Sequence, residues 1–525
     1  MKALRKKLRR AIVATHGVPL VGRAVRTAFR IAAARAVRRL ASAPGVRSVY
    51  VRHGHPGSPT FVPGLSDLDL TLVLHESAAE SPSAIALAGA AVERVSRLHP
   101  YSHSSDARFT SASELARLTR EYEAPFTLLV TPDDWRLAAG EEARTERARG
   151  FPAERVARHP EMNRWWREVL PRHALRRASE GEPATVRPFL RGAAKQRLHF
   201  LLARGRAPAR RGGYVENRDA VAAFEDDPET QALVLGVLRD SFRTRDRRSV
   251  AAAFLRRALR DAELFFAGGG GSGGAGGGGS GGAGACGSGA AGRGPERESA
   301  RDPAGAAAAA AIARRLAGCP RLASLLEGAI VYPLPFVAPA FHQADLLLPE
   351  NASAERVGEI LASLEEGLGG READAEGHPF AVSLVPRAAA ASPLAAAGSP
   401  FPFLAEHVAL HGRSILGARA DAIAPAPLAS DDERRSALRD WLPCHLFTLK
   451  RRAERESRTV NALQLVAVRH YLESGEIETD ALRLRERAIG ADPGPAPAER
   501  QVFLSREYAR VESLLREGES HALRA

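Results

Sequence analysis

Apolar and polar positions alternate between two periods along this chain. Apolar runs at Val46–His53, Asp67–His75 and Ser104–Ser111 predict strands, and a spacing of three and four over Ser83–Leu98 predicts the helix between the second and third. The same order returns later: strands over Gly328–Leu334, Gln343–Leu348 and Phe380–Pro386, with a helix over Ala354–Leu368. Helical periodicity follows each set. At the N-terminus, Leu4, Leu8 and Ile12 fall on one helical face. Val21, Val25, Ala28, Ala32, Ala36 and Leu40 form the apolar stripe expected of a second helix. The pattern predicts an α+β protein: two short mixed sheets with helices, each followed by a helical subdomain.

The two halves look like copies. Arg167-Glu168-Val169-Leu170-Pro171-Arg172-His173 parallels Arg439-Asp440-Trp441-Leu442-Pro443-Cys444-His445, and Arg197-Leu198-His199-Phe200 parallels Val468-Arg469-His470-Tyr471, at an offset of about 270 residues. Pro125-Phe126 before Trp135-Arg136 echoes Pro402-Phe403 before Gly412-Arg413. Between the halves, residues 268–303 are almost wholly Gly, Ser and Ala before a charged end. This composition buries no apolar area and predicts a flexible coil spanning roughly 35 Å. The expected divisions are a basic helical arm (1–42), a first sheet domain (43–150), a helical subdomain (151–267), the linker (268–303), a second sheet domain (304–425) and a second helical subdomain (426–525).

Charge sharpens this division. Of the 75 Lys and Arg in 525 residues, 14 lie in residues 1–66, where there is no Asp or Glu. The rest of the chain balances, so the net charge of +14 belongs to the arm and argues little for a nucleic-acid channel across the body. A basic amphipathic arm can pack its stripe on the core, lie on an anionic membrane, or hold nucleic acid. No run of 18 apolar residues predicts a membrane span, and three scattered cysteines (Cys286, Cys319, Cys444) suggest reduced thiols in a cytoplasmic protein.

The candidate chemistry sits at the second strand. Asp67 and Asp69 are two apart, so a strand points both carboxylates to one face, where they repel unless a cation lies between them. Upstream stand the strand Val49-Tyr50-Val51-Arg52-His53-Gly54, a glycine-bearing turn, and Pro63-Gly64-Leu65-Ser66. Glycine lets backbone N–H groups approach phosphate oxygens closely. This arrangement resembles the nucleotidyltransferase superfamily of the polymerase-beta type, whose signature is a strand, a Gly-Ser turn, about ten variable residues and Asp-x-Asp on the next strand. The resemblance implies a third carboxylate on the following strand, matched by Asp106, with Glu114 as a substitute. It implies two Mg²⁺ ions held by Asp67, Asp69 and Asp106, and a triphosphate (ATP or another NTP) held by the turn through Gly54, His55, Gly57, Ser58 and Ser66. The expected reaction moves a nucleoside monophosphate to an acceptor hydroxyl, with a small molecule favoured over nucleic acid as acceptor.

The sequence departs from the family at His55, which stands where Ser usually follows Gly54; Gly57-Ser58 comes three residues later. Either the turn is rebuilt, with His55 donating to phosphate, or nucleotide binding is impaired. The alternative to an enzyme is therefore an inactive scaffold of the same fold. The second copy reads Phe341-His342-Gln343-Ala344-Asp345-Leu346, with Asp345 at the expected place of Asp69 and no glycine turn. It is expected to be a non-catalytic partner that pairs intramolecularly with the first. Trp165 and Trp166 read as core or interface, and His173 and His445 as packing or capping residues.

Overall fold

The computed structural model describes residues 2–15, 17–51, 68–98, 107–121, 136–143, 161–175, 186–204, 217–240, 247–267, 303–334, 336, 341–368, 380–390, 392, 395, 401–417, 428, 430–444, 458–487 and 497–522. The predicted linker, 268–303, lies outside them except for its last residue, which opens a helix. The chain is α+β, with two mixed four-stranded sheets.

Helices α1 (Lys2–Thr15) and α2 (Pro19–Ala41) lead into the first sheet, formed by β1 (Val46–Val51), β2 (Leu70–Leu74), β3 (Ala107–Ser111) and β4 (Arg136–Gly140). Helix α3 (Pro82–Leu98) joins β2 to β3, and α4 (Ala112–Glu121) follows β3. The spatial order is β3-β2-β1-β4, with β1 antiparallel to both neighbours and β2 parallel to β3. The parallel pair needs the crossover that α3 supplies.

A helical stretch comes next: α5 (Glu161–Asn163, the π-helical turn Arg164–Val169, then Leu170–Leu175), α6 (Arg187–Ala203), α7 (Asn217–Ala222), α8 (Pro228–Asp240) and α9 (Arg247–Ala267). Helix α10 (Pro303–Ala317) opens the second half. Its sheet is built from β5 (Gly328–Pro333), β6 (His342–Leu348), β7 (Phe380–Pro386) and β8 (Arg413–Gly417), with α11 (Ala354–Leu368) as crossover and α12 (Leu404–His411) before β8. The order β7-β6-β5-β8 and all strand directions repeat those of the first sheet. The chain ends in α13 (Asp431–Cys444), α14 (Arg458–Ser474), α15 (Ala481–Arg487) and α16 (Pro497–Ala522).

The sheets agree in detail. The β1/β4 ladder breaks register between Val49 and Tyr50, and the β5/β8 ladder between Ala329 and Ile330. Both fourth strands end in a glycine, Gly140 opposite Ser48 and Gly417 opposite Gly328. Neither fourth strand was foreseen as a strand.

In the first sheet, Val49, Val51, Leu70, Leu72, Leu74 and Phe109 share an apolar cluster with α2 and α3. The opposite face carries Tyr50 and Val73, which share a cluster with Trp441, Val466, Tyr508 and other residues of the C-terminal helices. In the second sheet, β7 packs against α5 and α9 of the first half, and α11 against α9. Met162, Trp166, Phe254 and Phe266 thus share one core with Leu346, Val357 and Leu384. Each sheet is covered in part by helices of the other half. No helix among the described residues is long and apolar enough to cross a membrane.

Candidate functional site

Strand β2, Leu70 to Leu74, is apolar except for Thr71 and buried at every position. Asp69 stands immediately before it and is only 8% exposed, between buried Leu68 and Leu70. Thr71, two residues on, projects to the same face as Asp69 and pairs directly opposite Tyr50. Its hydroxyl is fully buried and has no hydrogen-bond partner. An orphaned buried hydroxyl costs about 1–3 kcal/mol, so this one marks a position where a polar ligand or its hydration water would be stabilising.

Tyr50 shares the face. Its hydroxyl donates to the Glu142 carboxylate at 2.5 Å and accepts the Ala143 amide at 2.6 Å. The Ser48 hydroxyl donates to the Glu141 carbonyl. The segment after β4 is therefore tied to β1, with Glu142 beyond Gly140, which pairs with Ser48, toward the end of the sheet away from Asp69. Sequence reading missed Glu142, since it depends on the unforeseen β4. Tyr50 was open to discovery, because strand alternation puts it opposite Thr71.

Asp67, Asp106, Gly54, His55, Gly57, Ser58 and Ser66 lie outside the described residues. Among the described residues no group of three or more His, Cys, Asp or Glu is close enough to hold a metal ion. Glu114 does not substitute for Asp106. It lies beyond Ser111, which pairs with Leu74, whereas Asp69 precedes the pair Leu70 and Ala107. The two are separated by the full length of β2, roughly 13 Å. Glu114 is buried and accepts the Thr110 hydroxyl at 3.0 Å.

The shared register corrects the correspondence between copies. Tyr50 pairs with Thr71, just as Ile330, after the same break, pairs with Asp345. Thr71 pairs with Arg108, and Asp345 with Ser383. Asp345 therefore matches Thr71, and Gln343 matches Asp69. The expectation that Asp345 stands at the place of Asp69 was two residues out. A slip of two leaves every side chain on its face, so alternation alone could not detect it. Counted along the chain from these pairs, Phe341 matches Asp67 and Ala381 matches Asp106. The second copy keeps no carboxylate at any of the three positions.

Its face is closed from the other half. Arg167, on the π-helical turn of α5, reaches Asp345 at 2.7 Å, with both side chains under a tenth exposed. The Tyr332 hydroxyl donates to the same carboxylate at 3.0 Å and accepts from Arg167 at 3.3 Å. The Gln343 amide donates to Asp345 at 3.2 Å and to the Ser383 hydroxyl at 2.7 Å, and that hydroxyl donates to the Arg167 carbonyl at 2.8 Å. Burial alone would lower the Arg167 pKa, but the charge of Asp345 outweighs it and holds the guanidinium firmly protonated. Burial and the neighbouring Asp345 push the Tyr332 phenol well above its usual range, so it stays a donor. One turn earlier, the Asn163 amide donates to the Ala395 carbonyl at 2.6 Å. π-helical turns are rare and insert one extra residue, which re-aims side chains. Arg167 went unrecognised in the sequence because its partner lies in the other half.

Trp166 is fully buried and meets Phe266 edge-on at 6.5 Å, as a core residue. Lys195 lies 4.9 Å from the centre of the Trp165 ring. His173 stacks edge-on with Phe189, and His445 lies outside the described residues.

Comparison of the chain with protein-family models, with curated proteins and with solved structures finds no match.

Proposed function

We propose that this chain is a tandem nucleotidyltransferase-like protein in which residues 43–150 form the catalytic unit and residues 304–425 a degenerate one. The reaction is transfer of a nucleoside monophosphate from an NTP, with ATP as donor, to the hydroxyl of a small acceptor, releasing pyrophosphate. One observation supports this most. The two sheets share a register, yet the positions of Asp67, Asp69 and Asp106 hold Phe341, Gln343 and Ala381 in the second, whose face is closed by Arg167. The first copy keeps all three carboxylates, and the buried hydroxyl of Thr71 on the face of Asp69 lacks a partner.

The donor set suits Mg²⁺, a hard cation that takes carboxylate oxygens together with substrate phosphates. Two such ions on Asp67, Asp69 and Asp106 would neutralise the carboxylates and stabilise charge on the transferring phosphoryl group. Asp106 accepts the proton of the acceptor hydroxyl as it attacks. The glycines of the 54–66 turn let backbone amides approach the triphosphate, with His55, Ser58 and Ser66 as side-chain donors. The buried apolar strand behind Asp69 fixes its position and keeps water from the rear of the site.

Calorimetry with each NTP in Mg²⁺ tests the reading, with Asp67→Asn and Asp69→Asn as controls. Binding by the wild type, weakened at least tenfold in both variants, is the expected result. A labelled NTP incubated with protein and cell extract then locates the acceptor by mass. No heat with any NTP would leave the protein an inactive scaffold.

A further inference from the structure

The N-terminal arm presents an outward surface that the catalytic reading does not use. Helix α2 has two faces. Gly22, Phe29, Ala36, Val37 and Leu40 are buried, and Phe29 rather than Val21 or Ala28 supplies the inner stripe. The other side is exposed, and over its first three turns Leu20, Ala24, Thr27 and Ile31 recur at three and four, with Thr27 the polar member. Leu20 is 79% exposed, Ile31 50%, and Val18 in the turn before the helix 51%. Leu8 of α1 is 52% exposed. Half of the large apolar side chains exposed among the described residues fall between Leu8 and Ile31.

Exposed arginines border this stripe. Arg23 and Arg30 lie along one edge, and Arg35, Arg38 and Arg39 extend the face toward the C-terminal end of the helix. No acidic residue occurs before Asp67. An exposed apolar stripe edged by one sign of charge matches an interface of opposite charge with an apolar layer beneath it. Nucleic acid satisfies only the charge, because its phosphates gain nothing from leucine and isoleucine.

We propose that the outer face of α2, with the turn before it, docks on an anionic lipid surface: Leu20 and Ile31 enter the headgroup boundary while Arg23 and Arg30 pair with lipid phosphates. Flotation of the full chain with vesicles tests this, using phosphatidylcholine alone or mixed with phosphatidylglycerol. Binding to the anionic vesicles only, weakening as salt rises, is expected. Arg23→Gln and Arg30→Gln should each weaken it about fivefold. The double variant L20D/I31D should abolish flotation while leaving the circular dichroism and urea midpoint unchanged, since both side chains are exposed. Failure to float with anionic vesicles overturns the proposal, as does flotation that survives L20D/I31D. Tight binding of RNA or DNA that depends on the arginines, without vesicle binding, would assign the face to nucleic acid. A dimer dissolved by L20D/I31D in ultracentrifugation, again without vesicle binding, would assign it to a second copy of the chain.

Discussion

Arg167 and Asp345 form an ion pair closed off from water, and such pairs are far costlier to break than to replace. Arg167→Met should destabilise the protein by about 3–5 kcal/mol, because Asp345 is left buried and uncompensated. The double variant R167M/D345N should recover much of that loss, and urea denaturation of the three proteins measures the difference. His407 gives a separate expectation. Its Nε2 lies 2.7 Å from the Pro333 carbonyl and its Nδ1 2.9 Å from the Thr479 hydroxyl. Burial first, then nearby His411, lowers its pKa to about 3 against a partly opposing bond to Pro333. An unfolded chain protonates this imidazole near 6.5, so between about 6.5 and 3 the unfolded state binds the extra proton. Stability should fall as pH drops through that window, by up to about 1.4 kcal/mol per pH unit. Urea midpoints at about pH 7 and about pH 5 should show a shallower pH dependence in His407→Gln.

At the scale of elements, Gly140 ends β4 at φ +85°, and a Cβ there would come within 2.1 Å of the Arg47 carbonyl oxygen. Gly140→Ala should cost about 1–3 kcal/mol for the left-handed backbone alone, with more as β4 moves off β1. A lowered melting temperature checks this. Elements with long, clean periodicity were legible in the sequence: Ala354–Leu368 and Phe380–Pro386 form as expected. The fourth strands, Arg-Leu-Ala-Ala-Gly and Arg-Ser-Ile-Leu-Gly, are short and lack β-branched alternation, so only their echo between halves hinted at them. The stripe of α2 was read one residue off in its first half, because Val21 and Ala28 repeat as regularly as the buried Gly22 and Phe29. Asp69 was legible as an acid at the head of the second strand, from its place before an apolar run. Arg167, Thr71 and Glu142 were not, since each becomes relevant only through pairing with residues distant in sequence.

Across the whole molecule, helices of the first half complete the core of the second sheet, and helices of the second half cover Tyr50 and Val73 of the first. Residues 1–285 produced alone should therefore expose Met162, Trp166 and Phe266 and aggregate, whereas 1–285 and 286–525 expressed together should copurify as a complex. Gel filtration of each half and of the pair tests this. Recovery of a monomeric, cooperatively folded first half would contradict it.

The guanidinium seated on Asp345 carries an evolutionary consequence. A unit that folds by itself can be lost without harm to its neighbour. Here each half is the socket of its sibling, so truncation on either side would unravel what remains, and the two are kept or lost together.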